Sequence, residues 1–570
     1  MDGFSSQQVC HPSDGTGRLD TLAAKGNLGK PQLSSVGGVG DSTQEDGAMT
    51  AASGFGFPDN DPGEACPAHP NRGSHPESVG TPLIAGEVTG RRTVFAALRD
   101  DPYWPTRLSV ATMTGAARGY GRPAPLPPGL KGRPVLGSFT ELRRDPFTLI
   151  SRGAANYGDM FRIPMPLLDM VAVTHPDLIQ EFMDEPTGRF SRYSPFGPVL
   201  RVIGANSIML EPPVLRERRS MLTPMFTRRH QGVIADIIAT DIAERVDRWA
   251  PLAAAGRPVD LQHEIFHLTL AVYLKALFSM SLSENEIRRL DADLRAVTGL
   301  LGLSTLMVPF PRLLPRASGS SLFPALARIY RLVGRMIRDR TANPTSREGD
   351  RDFLDALLDA RYDDGSPLSR ADLAAEIVGL VGGAYDPSGA ALSWAVALVV
   401  TNPEALAGLE NEISALDGDV PGYDDVARLI WTRACFDEAQ RMQGHPFFPR
   451  FCMADTELGG YRLPKYTLLG ASMSVVHRDP RWWPEPDRFD PTRFIDRDQI
   501  QARPKLAFMP FSAGQHYCMG TTMAYMTAQF FLAALFQRYR LSVPPGWQPR
   551  PKFTFSVTID GGLPATLMTR

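Results

Sequence analysis

The residues best placed to do chemistry lie in FMPFSAGQHYCMG, Phe508 to Gly520, directly ahead of the helical run TTMAYMTAQFFLAALFQRY. Cys518 falls just before the helix start. A thiolate there meets unpaired backbone N–H groups and the positive end of the helix dipole, both of which stabilise negative charge on sulfur. Gly514 and Gly520 let the backbone turn tightly and approach a bulky planar group with no Cβ in the way. Taken alone, a cysteine near a helix start is more often a small buried hydrophobe, so the surrounding pattern has to carry the case.

That pattern has three parts in a fixed order. Glu438 and Arg441 share one helix face within DVARLIWTRACFDEAQRMQG, where residues three apart can pair. Pro491-Thr492-Arg493-Phe494 follows, and then Phe511, Gly514, Cys518 and Gly520 stand in the register F-x-x-G-x-x-x-C-x-G. In sequence and order these elements resemble the cytochrome P450 family. The resemblance implies haem b as cofactor, Cys518 as the proximal iron ligand, and electron donation from sulfur that favours O–O cleavage on the opposite face. By the same resemblance, Glu438, Arg441 and Arg493 form a buried ion triad that locks a helix against the loop behind the metal. Such a triad is costly to leave half-made. His516, Arg219 and Arg450 fall where the family contacts the haem propionates, arginine forks being suited to carboxylates. Within LEPPVLRERRSMLTPMF, Arg219, Pro224 and Phe226 match, while Leu215 replaces the usual Trp or His; Arg218 is the candidate to compensate.

One departure bears on reactivity. Where the family has a small residue, an acid and then Thr on its long helix, this chain reads Gly383-Ala384-Tyr385-Asp386-Pro387-Ser388. The acid is kept, but proline replaces the alcohol, removing a hydroxyl and a backbone N–H and predicting a local kink. Oxygen activation needs protons delivered through a relay within hydrogen-bond reach. Asp386 and Ser388 are the catalytic candidates to supply it. The resemblance also places a substrate pocket against Leu380, Gly383, Ala384 and Pro387, and this apolar lining suits a lipophilic ligand. Monooxygenation with O2 is the leading expectation. Peroxide-dependent or non-oxidative chemistry, and a non-catalytic haem-binding protein, are the alternatives.

The elements that must hold these residues are also legible. Segments such as DMFRIP and DMVAVT have strand character, whereas QGVIADIIATDIAERVDRWA and FPALARIYRLVGRMIRDRT carry apolar residues at helical spacing. The longest helix starts at the S-x-x-D cap of Ser369 and Asp372 and runs to Asn402 before Pro403, about 50 Å at 1.5 Å per residue. Apolar residues on nearly all of its faces make it a central element. The expected fold is mainly α with small β-sheets, in a single catalytic domain spanning residues 121–570. Residues 1–120, rich in Gly, Ser, Pro and Asp, predict a low-complexity, disordered extension.

Composition narrows the remaining choices. A net charge of −2 gives no electrostatic reason to bind nucleic acid. Five cysteines without a CxxC pair suggest a reducing interior, and no apolar run or leader segment predicts a membrane span, so a cytoplasmic monomer is expected. About fifty residues follow Cys518, too few for a fused reductase domain. A separate ferredoxin or flavodoxin-type donor is therefore implied.

Overall fold

A computed structural model describes residues 124–570, leaving out 135, 166–168, 186–187, 193–205, 209, 302–315, 346–350 and 417–420. The expected extension over residues 1–120 lies outside the described residues. Helix dominates, with small sheets beside it. Seven helices position the site: α1 (Val214–Leu222), α2 (Arg228–Asp247), α3 (Leu261–Phe278), α4 (Glu284–Leu301), α5 (Arg370–Thr401), α6 (Ile430–Gln443) and α7 (Thr521–Arg538).

The core follows from the two helices that are apolar nearly all round. In α3 every residue from Ile265 to Leu274 is buried, and α5 is buried along most of its length. A helix apolar on all sides has to be covered on all sides. Accordingly α5 packs against both α3 and α6, and α7 packs against α2. Ser369 caps α5, its Oγ accepting from the Asp372 N–H at 3.0 Å and donating to the Asp372 carboxylate at 2.8 Å. Asn402 ends the helix, and Pro403 opens the next one. The helix continues unbroken through Pro387, which costs it the bond to the Gly383 carbonyl but does not end it.

The strands are β1 (Met160–Ile163), β2 (Met170–Val173), β3 (Phe190–Ser191), β4 (Val259–Asp260), β5 (Phe448–Cys452), β6 (Thr456–Leu458), β7 (Tyr461–Leu463), β8 (Leu468–Ala471), β9 (Tyr539–Ser542), β10 (Pro551–Phe553), β11 (Val557–Ile559) and β12 (Pro564–Thr569). The largest sheet runs β1-β2-β8-β5-β3, with only the β2–β8 pair parallel. Its β5 carries Arg450. The β10–β11 hairpin seats against α5, where the Trp394 indole N–H donates to the Val557 carbonyl at 2.9 Å. No single helix among the described residues is long and apolar enough to cross a membrane.

Because Ser369 alone supplies the side-chain cap of α5, Ser369→Ala should lower stability by about 1 kcal/mol, the usual cost of an N-cap oxygen. Urea unfolding of the two proteins side by side would measure it.

Candidate active site

The loop ahead of α7 is shaped by its own backbone. Tyr517 N–H donates to Gly514 O at 2.9 Å, and Cys518 N–H donates to Phe511 O at 3.0 Å, which folds the chain back on itself before the helix. Gly514 has φ +65°, and a Cβ there would lie 2.1 Å from the Met183 carbonyl oxygen, so only glycine fits. Gly520 differs from expectation. Its φ is −82° and an added Cβ would sit 3.9 Å from Cys518 Sγ, so the turn itself does not demand glycine there. Phe511 packs its ring 5.3 Å from that of Tyr525 on α7, tying loop to helix.

Cys518 keeps accessible surface, unlike the buried Cys435 and Cys452. Its thiol is nonetheless pushed up by desolvation, only partly offset by the Gly520 N–H, Thr521, Arg219 and Arg192. A bound cation reverses that balance, because a coordinating thiol is deprotonated outright.

Around this loop the chain gathers cations in excess. Arg219 on α1 donates through Nη1 to the Tyr517 carbonyl at 2.9 Å, and its buried Nε has no partner among the described residues. Arg450 is 2% exposed; Nη1 donates to Pro449 O at 2.9 Å, while buried Nη2 has no partner. Arg192 joins them, donating its backbone N–H to Glu211 Oε1 at 2.6 Å and its Nη1 to Ile208 O at 3.1 Å. Burial, then Arg192 nearby, holds Arg450 down to about 9, and burial holds Arg192 down to about 10, with Arg219 adding to it. Glu211 is the carboxylate that offsets them. Three crowded guanidiniums, two of which (Arg219 and Arg450) carry an orphaned buried donor among the described residues, suit an anion of more than one charge. Two propionates of haem b fit that demand.

His516 lies beside this arginine cluster. Its Nε2 lies 3.1 Å from the Leu210 carbonyl, which can only accept, so Nε2 carries the proton. Burial, then Arg192 and Arg450, holds its pKa at about 2, so the ring is neutral and Nδ1 is an acceptor. Arg218 departs from expectation. It pairs with Asp372 at 3.0 Å and Glu376 at 3.2 Å on α5, and donates to the Tyr362 hydroxyl at 2.6 Å. Leu215 is fully buried, filling core rather than replacing a polar contact. Pro224 lies in the tight turn Thr223–Phe226 after α1, and Phe226 stacks edge-on against Phe353 at 5.4 Å.

Behind the loop, Arg441 grips Glu438 with two bonds of 2.6 and 2.8 Å. Its remaining donors reach the carbonyls of His477 and Pro486, both at 2.8 Å, and Arg488 at 3.2 Å. Arg493 Nε sits 3.4 Å from Glu438 Oε1, which also accepts from the Asp490 N–H at 2.9 Å. Glu438 and Arg441 are fully buried and Arg493 nearly so. Such a pair persists in the interior because its other valences are also satisfied. Its effect is to bind the irregular segment through residues 477–493 onto α6.

In the middle of α5 one stripe stays open while most of its neighbours are buried. Leu380, Gly383, Ala384 and Ser388 are half-buried and Pro387 is exposed, whereas Tyr385, Asp386, Gly389 and Ala390 are buried. Spacings of three and four place the open residues on one face. Ser388 flanks it, with Oγ 3.2 Å from the Tyr273 hydroxyl, which donates to Thr527 Oγ1 on α7 at 3.2 Å. Asp386 lies about 130° around the helix from the stripe centre, at 100° per residue. Its carboxyl accepts from the Ser556 hydroxyl beside β11. The expected acid of the relay thus faces away from the open stripe.

Burial raises Asp386 to about 6, from an ordinary 3.8. An acid whose pKa is raised on folding holds its proton more tightly in the native state. Stability therefore falls as pH rises from about 4 to about 6 and levels off above, by up to roughly 3 kcal/mol at 1.4 kcal/mol per unit. Asp386→Asn should abolish that part of the pH dependence, making the variant gain on the wild type between pH 4 and pH 7 in denaturant titrations.

Comparison with known proteins sets this geometry in a family. The model of the family described as Cytochrome P450 matches residues 127–564. Cyclooctatin synthase of Streptomyces melanosporofaciens is 30% identical over 446 residues, covering 75% of this chain and 92% of that protein. Cyclooctat-9-en-7-ol 5-monooxygenase from the same organism is 26% identical, over 72% of this chain and 89% of its own. Pentalenene oxygenase of Streptomyces avermitilis is also 26% identical, over 73% and 92%. With a matching loop, clamp and long helix, and a family match across nearly all of the described residues, the chain belongs to the cytochrome P450 family and is an oxidoreductase that binds haem b.

Proposed function

We propose that this protein inserts one oxygen atom from O2 into a C–H or C=C bond of a lipophilic substrate, with Cys518 as the proximal ligand and electrons from a separate ferredoxin or flavodoxin-type donor. The observation that carries this reading is the open apolar stripe of Leu380, Gly383, Ala384 and Pro387 on a helix buried along most of its length. Relatives named for pentalenene and cyclooctat-9-en-7-ol act on an unsaturated hydrocarbon and an unsaturated alcohol by their names. A cyclic terpenoid skeleton is the substrate class we assign here.

Bound haem supplies the centre at which O2 is activated. Cys518 would hold that centre through sulfur, and Arg219 and Arg450, each with a buried donor that has no partner among the described residues, would hold its carboxylates with Arg192 beside them. The Glu438, Arg441 and Arg493 clamp keeps the supporting segment in register. Apolar groups on the stripe orient the substrate and exclude water. Ser388, coupled to the Tyr273 and Thr527 hydroxyls, is the alcohol that flanks the stripe and the residue we assign to proton transfer. Asp386 supports it only from behind, through its place on the same helix.

A second reading has its own observation. Pro387 puts an alkyl ring on the open stripe where the family carries a hydroxyl, which favours peroxide-driven or non-oxidative chemistry. Turnover of a terpenoid with NADH, ferredoxin and ferredoxin reductase, set against turnover with hydrogen peroxide alone, separates the two. The oxygenase reading predicts product only or mainly with NADH, and a several-fold rise in product per NADH for Pro387→Thr. Equal or faster peroxide turnover, with coupling unchanged in the variant, would favour the second.

A further inference from the structure

Away from the haem loop, α3 and α4 bring three potential metal ligands together. His263 and His267 are one helical turn apart, so both project from the same face of α3. Asp291 reaches them from α4. One donor atom from each of the three residues lies within 4.8 Å of the others. The histidine rings are edge to face with centroids 4.0 Å apart, an arrangement that does not hydrogen-bond one ring to the other.

The second observation is an orphaned atom. His267 Nε2 is buried with no hydrogen-bond partner among the described residues, and its side chain is 6% exposed. It points at Asp291 Oδ2 from 3.6 Å, too far for a hydrogen bond. Donors around a tetrahedral zinc are about 3.3 Å apart, given metal–ligand bonds of about 2.0–2.1 Å. The gap is thus close to that of two ligands sharing one ion. His263 is exposed and gives an entry path from solvent.

We propose that His263, His267 and Asp291 form a binding site for a divalent transition-metal cation of the zinc class, separate from the haem. Imidazole and carboxylate donors in this number suit zinc with a water in the fourth position. Arg295 opposes it: its Nε lies 3.0 and 2.9 Å from the two Asp291 oxygens, and its guanidinium lies 4.7 Å over the Phe266 ring. That side chain is 41% exposed, so metal binding releases it towards solvent. Asp291 also accepts from the Tyr385 hydroxyl on α5, next to the substrate stripe. This bond orients the carboxylate in the manner of an outer-shell partner.

Equilibrium dialysis of the full-length holoprotein against zinc chloride, followed by elemental analysis of zinc and iron, tests the site. The expected result is one bound zinc per chain beyond the haem iron, with affinity about tenfold weaker or worse in His263→Ala and in His267→Ala. His263 is exposed, so its variant should fold and keep the carbon monoxide spectrum of the parent even where His267→Ala does not. No zinc bound by the parent protein, or zinc bound equally by His263→Ala, would overturn the proposal.

Discussion

The proposed ligation requires the Cys518 sulfur to carry negative charge, and that requirement is the constraint on which the arginines, the loop and the clamp around it bear. Desolvation pushes the Cys518 thiol up, and the groups that pull it down, the Gly520 N–H, Thr521, Arg219 and Arg192, do not outweigh it. Only a metal cation at the sulfur inverts the balance. The loop can then be relaxed in other respects. Its glycine at 514 sits under the Met183 carbonyl, and Phe511 packs onto Tyr525 of α7. Behind it the Glu438 and Arg441 pair is sealed with every valence used, so the support does not move when the charge at the sulfur is set.

The long helix α5 shows how one element serves two ends. Its back is pinned on several sides: Arg218 to Asp372 and Glu376, Tyr385 to Asp291, Asp386 to Ser556, and Trp394 to Val557. Pinning a helix this way fixes its rotation, and rotation decides which residues form the open stripe. Proline at 387 is tolerated because these side-chain ties hold the helix on both sides of the lost backbone bond. The cost of burying Glu376 and Asp386, both raised by desolvation, is accepted for that definition.

Much of the site was legible because its parts are local in sequence. The cysteine loop, the Glu438 to Arg441 spacing and the Ser369 cap each depend on residues within a turn or two of one another. What escaped was long-range. Arg192 sits in FSRY, which has nothing to separate it from a surface arginine, and it matters only because β3 brings it beside Arg219 and Arg450. Arg218 was the natural compensator for Leu215 by position, yet α5 supplies it with two carboxylates from more than 150 residues away. His516 sets its Nε2 against the Leu210 carbonyl, a contact across some 300 positions. The retained acid at 386 was read correctly as an acid, but its direction depended on the C-terminal hairpin. Residue type is local, whereas the partner that uses it is set by packing.

The ligation claim is tested most directly by the absorption spectrum of the reduced holoprotein under carbon monoxide. Sulfur ligation by Cys518 predicts a main band far to the red of that of an imidazole-bound haem, and its disappearance in Cys518→Ala. A wild-type band at the imidazole position, or a red-shifted band that survives Cys518→Ala, would contradict it.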